Sequence, residues 1–209
     1  MLTSRHRKKR RRSRLACSDD EESPDDEAAP SGTDFLPHFN ATVYFYESLN
    51  TNSVLKLQLT LQHVEQRARM HLPPGAQVQL TLFVQSPGGY AAAGLAAYDV
   101  LKASRAHVTT IAIGSVASAS TLLFLGGSRR LIAPNAEFLI HQLSAQVAGS
   151  NAILRDEMQN NQETMTRMVR IYAENSSMRK KQVRAQLANE KCLDADAVVE
   201  CGMAHAIWI

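Results

Sequence analysis

Cysteine is scarce in this chain, and what is present forms no pattern. Cys17, Cys192 and Cys201 are the three. An odd number without metal-ligand spacing argues against a disulfide framework and against a zinc site, and favours free thiols in a reducing compartment. Aromatic residues are also few, 6% of the chain, and none interrupts the basic run between Arg5 and Arg14. That run therefore lacks the stacking platform of a single-strand nucleic-acid binder. No apolar stretch reaches the roughly 18–20 residues of a membrane span. No apolar segment follows the basic run, which speaks against a secretory signal. Net charge of one sign is small, +3 over 209 residues, so bulk electrostatics selects no partner.

The charge is unevenly placed. Arg5 to Arg14 is almost all basic and Asp19 to Glu27 mostly acidic. Blocks of like charge read as a disordered tail, here residues 1–37. Such a block can also be a nuclear address or a nucleic-acid patch, although an acidic neighbour this close blunts nucleic-acid affinity. The acidic block is foreign to a simple transit peptide. The cytoplasm is the expected location, with an organelle or the nucleus left open. Beyond the tail, 44% hydrophobic residues suffice for one globular domain, residues 38–209.

Strand and helix patterns alternate along that domain. Thr42 to Tyr46 is β-branched and aromatic, hence a strand. A helix is expected over 52–70, with Val54, Leu57, Leu59, Leu61 and Val64 on its apolar face and a cap among Asn50 to Asn52. Strand 78–84 leads into Ser86-Pro87-Gly88-Gly89. An alanine-rich helix over 91–103 is followed by strand 108–113, a turn beginning at Gly114, and a helix over 118–125 that ends at Gly126-Gly127. Short strands at 130–133 and 137–141 precede helices over 148–174, 180–188 and 195–201, with Gly202 as a helix stop. This alternation implies an α/β fold with mostly parallel strands. In the longest helix Ile153, Leu154, Met158, Met165, Met168, Val169 and Tyr172 form a stripe. It is expected to project and bury that stripe against a partner, rather than fold back on the sheet.

The chemistry concentrates at strand ends. Gly114-Ser115-Val116-Ala117-Ser118-Ala119-Ser120 offers a serine among small residues where a strand hands over to a helix. Ser86-Pro87-Gly88-Gly89 is a glycine-rich loop, and Ile140-His141-Gln142 closes another apolar run. Each has a plain structural reading alone, a cap, a turn and a packed histidine. Together they are a nucleophile, an oxyanion loop and a base, the parts of a serine hydrolase.

Taken in order, these motifs, with Pro134-Asn135 and the closing stretch from Cys192 to Gly202, resemble the proteolytic subunit of the caseinolytic Clp protease, within the broader superfamily it shares with the crotonases. The resemblance covers roughly residues 41–207. It implies repeated β-β-α units with a projecting long helix, Ser118 as nucleophile, His141 as general base, and the Gly89 and Ala119 N–H groups as oxyanion donors. It implies neither cofactor nor metal. It implies peptide or unfolded-protein substrates, held in extended form beside the strand near Leu80 to Gln85 and the segment after Gln142. Self-association into rings, heptamers or stacked heptamers, and docking of an AAA+ unfoldase would follow, with no membrane.

The chain departs from the family at several points. The third triad position, an aspartate in the family, holds Gln186 here. Glutamine can accept a hydrogen bond from the imidazole but brings no charge. Glu190, one helical turn on, is the candidate substitute. Leu143 stands where a proline commonly follows His-Gln, and of Thr81 and Phe83 only Phe83 keeps the aromatic character of the family's docking cleft. Three readings follow: a serine endopeptidase, a catalytically impaired structural subunit of the same fold, and a crotonase-like acyl-CoA enzyme. Ser118 and His141 at strand ends disfavour the last, because fold alone does not fix function.

Overall fold

The computed structural model describes residues 41–209. The tail assigned to residues 1–37, its Cys17 and the start of the domain at 38 lie outside the described residues. Six strands and six helices lie among the described residues, alternating from β1 to β4. Strand β1 (Thr42–Phe45) is followed by α1 (Thr51–His71), β2 (Gln79–Ser86), α2 (Ala91–Lys102) and β3 (His107–Ala117). Then come α3 (Ser120–Leu125), β4 (Arg129–Ile132) and β5 (Glu137–Leu139). The helices α4 (Asn151–Glu174), α5 (Lys180–Ala188) and α6 (Ala195–Glu200) precede β6 (Ala206–Ile207).

All pairings between strands are parallel, in the order β1-β2-β3-β4-β6, and an isolated antiparallel bridge joins Phe138 to Leu193. Crossover helices between consecutive parallel strands give the α/β class expected from the sequence. The sixth strand, β5, pairs with the far half of β3, Ser115–Ala117, while the near half, Thr109–Ala112, pairs with β4. Strand β3 is therefore longer than the expected 108–113. Gly114, at φ 56°, kinks the strand without ending it, because Val116 finds pairing partners in both Ser86 and Phe138. The turn proper is confined to Ser118-Ala119.

The helices begin and pack for local reasons. Asn50 Oδ1 accepts from Ser53 N–H and Ser53 Oγ from Asn50 N–H, both at 2.9 Å, a reciprocal cap for α1. Val54, Leu57, Leu61 and Ala68 are buried along one stripe, whereas Leu59, expected on it, is 56% exposed. Two residues beyond Leu57, it points to the opposite side. Helix α4 both docks and projects. Met168, Val169, Ile171 and Tyr172 near its end are buried, in contact with α3 and α5. Ile153 and Met158 near its start are exposed.

The far end of the chain is held by a buried cation. Arg130 Nε donates to Met203 O at 2.6 Å, and its terminal nitrogens lie 3.3–3.5 Å from the carbonyl oxygens of Asn175, Gly202 and Gly127. Arg130 N–H donates to His205 Nδ1 at 3.0 Å. Gly202 takes a left-handed conformation, φ 77°, just beyond α6, as a helix stop requires. Cys192 and Cys201 are free thiols. Among the described residues no helix is long and apolar enough to cross a membrane.

Candidate active site

Three strand ends converge on one cavity of about 240 Å³, lined by Gly89, Ser118, Ala119 and His141 among others. Gly89 follows β2, Ser118 follows β3 and His141 follows β5, so parallel pairing in the sheet brings these chain-distant residues to one side.

Ser118 has φ 58°, the only positive φ of a non-glycine residue among the described residues. A Cβ-bearing residue adopts that conformation at a cost of roughly 1–2 kcal/mol, so the surroundings must impose it. They do so from both sides. Ser118 N–H donates to Leu139 O at 2.8 Å, and Ser118 C=O accepts from Thr121 N–H at 3.1 Å and Thr121 Oγ1 at 2.6 Å. The glycine loop stacks on the turn so closely that a Cβ on Gly88, at φ 96°, would lie 2.6 Å from both Ser118 Cβ and Ala117 O. A Cβ on Gly89, at φ 151°, would run into the Leu49 backbone. No side chain larger than hydrogen fits either position.

Two backbone donors flank the serine. Among the described residues neither Gly89 N–H nor Ala119 N–H is donated to a protein acceptor, and both residues line the cavity. Helix α3, of six residues, is too short to supply much field of its own, so the donors act as two individual N–H groups. Ser118 Oγ itself makes no hydrogen bond among the described residues, which leaves it free toward the cavity.

His141 follows β5, which ends at Leu139 rather than at His141. The chain leaves the sheet there: Gln142 N–H donates instead to Leu187 O at 2.9 Å, and Leu143 N–H to Met165 Sδ at 3.1 Å. His141 Nδ1 lies 2.7 Å from Gln142 O. A carbonyl oxygen only accepts, so Nδ1 is the donor in this bond, and in the neutral ring that arrangement leaves the lone pair on Nε2. That is the tautomer a general base needs.

The third position lies elsewhere. Gln186 and Glu190 line a separate concavity of about 600 Å³ with Cys192 and Asp194. Among the described residues neither side chain is hydrogen-bonded to the His141 ring. Glu190 is exposed at the end of α5, whose last turn meets the site through the backbone bond from Gln142 to Leu187.

Expectations for substrate binding are also corrected. Of the segment Leu80 to Gln85, Thr81 to Val84 are paired with β1 on one side and β3 on the other, so no peptide can add to them. The chain beyond Gln142 belongs to no strand, and its backbone remains a candidate edge for an extended peptide. Sequence reasoning missed the hydroxyl partners of the turn. Ser120 Oγ lies 2.9 Å from Ser86 O and 2.6 Å from Ala117 O, and Thr121 Oγ1 lies 2.5 Å from the Tyr172 hydroxyl. Tyr172 was visible only as one apolar residue of the α4 stripe.

A family model described as Clp protease matches residues 55–208. The chain is 33% identical over 124 residues to ATP-dependent Clp protease proteolytic subunit 1 of Streptomyces coelicolor, covering 58% of this chain and 57% of that one. It is 29% identical over 134 residues to proteolytic subunit 1 of Streptomyces avermitilis, covering 63% of this chain and 62% of that one. To proteolytic subunit 2 of Corynebacterium efficiens it is 30% identical over 133 residues, with coverage of 62% and 67%. The chain thus spans less than two thirds of the length of the two Streptomyces relatives.

Proposed function

This chain belongs to the Clp protease family, and from that premise we propose that it is a serine endopeptidase subunit working through an acyl-enzyme on Ser118. Ser118 Oγ attacks the scissile carbonyl carbon while His141 Nε2 takes its proton. The resulting oxyanion accepts from Gly89 N–H and Ala119 N–H. Collapse expels the amine, which receives the proton from His141. Water then repeats the sequence on the ester, releasing the acid and restoring the serine.

The observation that carries this reading is the pair of undonated N–H groups flanking a serine at positive φ, in one cavity with a histidine whose Nδ1 is held by a carbonyl oxygen. The Gln142 carbonyl fixes the tautomer that the family's aspartate would fix. It brings only a partial charge to the imidazolium, so turnover is expected to be modest. Substrates are peptides or unfolded proteins in extended form along the chain after Gln142.

Assembly into rings belongs to the same reading, supported by the projecting half of α4 with its exposed Ile153 and Met158. An unfoldase partner is supported by an aromatic row on the sheet. Tyr44 stacks on Phe83 at 5.4 Å between ring centroids, and Phe83 meets Trp208 edge-on at 5.3 Å. Tyr44 is 64% exposed, an apolar surface of the kind that partners cover. ATP use would belong to that partner.

A second reading, a catalytically impaired structural subunit, draws on the separation of Gln186 and Glu190 from the His141 ring. Hydrolysis of a fluorogenic peptide by the wild type and Ser118→Ala, matched for assembly size by light scattering, decides between the two. The peptidase reading expects a fall of about 10³-fold or more in the variant. Equal rates in both proteins overturn it, and an inert wild type leaves the structural reading standing.

A further inference from the structure

On the peptidase reading, catalysis depends on where one amide points. Ala119 N–H shares its planar trans peptide with Ser118 C=O, so the two bonds are fixed in opposite directions. Whatever holds that carbonyl therefore aims the N–H into the cavity. The carbonyl accepts from both the N–H and the hydroxyl of Thr121, at 3.1 Å and 2.6 Å. Thr121 Oγ1 has one proton, given to this carbonyl, so at 2.5 Å the Tyr172 hydroxyl is the donor to Thr121. Both side chains are completely buried. Burial raises the Tyr172 pKa, so the phenol stays protonated and remains a donor.

The preceding peptide is held independently. Ser120 Oγ reaches Ala117 O and, across the sheet, Ser86 O at the foot of the glycine loop. Only the Thr121–Tyr172 pair reaches away from the sheet, to the docked end of α4.

We propose that Thr121 and Tyr172 are positioning residues: their buried hydroxyl relay orients the Ser118–Ala119 peptide so that Ala119 N–H meets the oxyanion. The inference rests on the peptidase reading above and adds a physical link from the long helix to the reacting centre. A relay of this kind acts on the transition state and not on substrate binding.

The test uses the full-length chain in its assembled form, with Thr121→Ser, Thr121→Val, Tyr172→Phe and the double variant Thr121→Val/Tyr172→Phe. The double variant removes both hydroxyls together, so no buried donor is left without an acceptor. For each, kcat and KM are measured on a fluorogenic peptide, with the affinity for a peptide boronate whose tetrahedral adduct occupies the oxyanion site. Thermal unfolding sets a temperature at which every variant is folded.

The expected result for Thr121→Val is a fall of about tenfold in both kcat and boronate affinity, with KM within about twofold. Tyr172→Phe falls by about threefold, Thr121→Ser stays within about twofold of wild type, and the double variant is no worse than the Thr121→Val single. Variants that unfold at lower temperature yet keep wild-type kcat and boronate affinity overturn the inference, since the pair then only packs. A rise in KM alone overturns it equally. If the wild type shows no Ser118-dependent hydrolysis, the peptidase reading fails and takes the inference with it. If the wild type is active and the variants match it, the inference alone fails.

Discussion

The nucleophile turn and the end of α5 teach opposite lessons about how one chain prepares a site. Around Ser118 the turn's carbonyls and the neighbouring hydroxyls are bound to named partners, and Gly88 packs on the turn so closely that no Cβ fits there. Around Gln186 and Glu190 the side chains face a separate concavity, and a single backbone bond, Gln142 N–H to Leu187 O, ties that element to the base. The proposed nucleophile and oxyanion donors are preorganised by buried structure. The histidine is oriented by its own neighbouring carbonyl and by little else.

Substituting Gly89 would break this contrast most severely. A methyl group there meets the Leu49 backbone at a φ that only glycine tolerates, so Gly89→Ala is expected to cost about 2–4 kcal/mol in denaturant titration. The displaced donor should lower peptide turnover by about 10²-fold. Wild-type stability and turnover together would show that the loop is less tightly fitted than it looks.

Arg130→Met separates the molecule's stability from its chemistry. It deprives buried carbonyls at Met203, Asn175, Gly202 and Gly127 of their donor, for an expected loss of about 2–4 kcal/mol. Peptide turnover of the folded fraction should be unchanged, and an equal loss in both would tie the site to this distant anchor.

Gln186→Ala sharpens the comparison from the weak side. Turnover should change by less than about threefold, and Glu190→Gln by less than about twofold, since neither side chain is hydrogen-bonded to the imidazole among the described residues. A tenfold fall in either variant would mean that its side chain reaches His141 during turnover.

The smallest effect is in pH dependence. Burial, then the charges of Arg130 and Arg129, lower the His205 pKa. At pH values below the ordinary histidine value of about 6.5 the unfolded chain then binds more protons at this site than the folded one. The stability contributed by neutral His205 is therefore complete above that value and is lost as pH falls through the lowered folded pKa. Protonation would also remove the acceptor that His205 Nδ1 offers to Arg130 N–H. Urea midpoints measured across that range should fall less steeply for His205→Gln than for wild type.

Much of this molecule could be read from local sequence, and the failures share a cause. The cap at Asn50, the stop at Gly202 and the strand–helix alternation follow from residues close together in the chain. The candidate residues Gly89, Ser118, Ala119 and His141 were legible because glycines and small residues mark the turns that carry them. The passage of β3 across Gly114 was not, since it depends on pairing with Ser86 and Phe138. Strand β6, two residues long, is too short to show a period. The Thr121–Tyr172 contact joins residues 51 apart, and nothing near either residue announces the other. The hydrogen bond of His141 to its neighbour's carbonyl leaves no mark in sequence, and Gln186 is a third-position candidate only through the family resemblance.

The central claim is that Ser118 is an activated nucleophile, and the most direct test is reaction of the assembled protein with a fluorophosphonate probe followed by mass-spectrometric mapping of the adduct. The account predicts one phosphonylated residue, Ser118, and no labelling of Ser118→Ala. An unlabelled wild type of correct assembly size, or a label that persists in the variant, would contradict it.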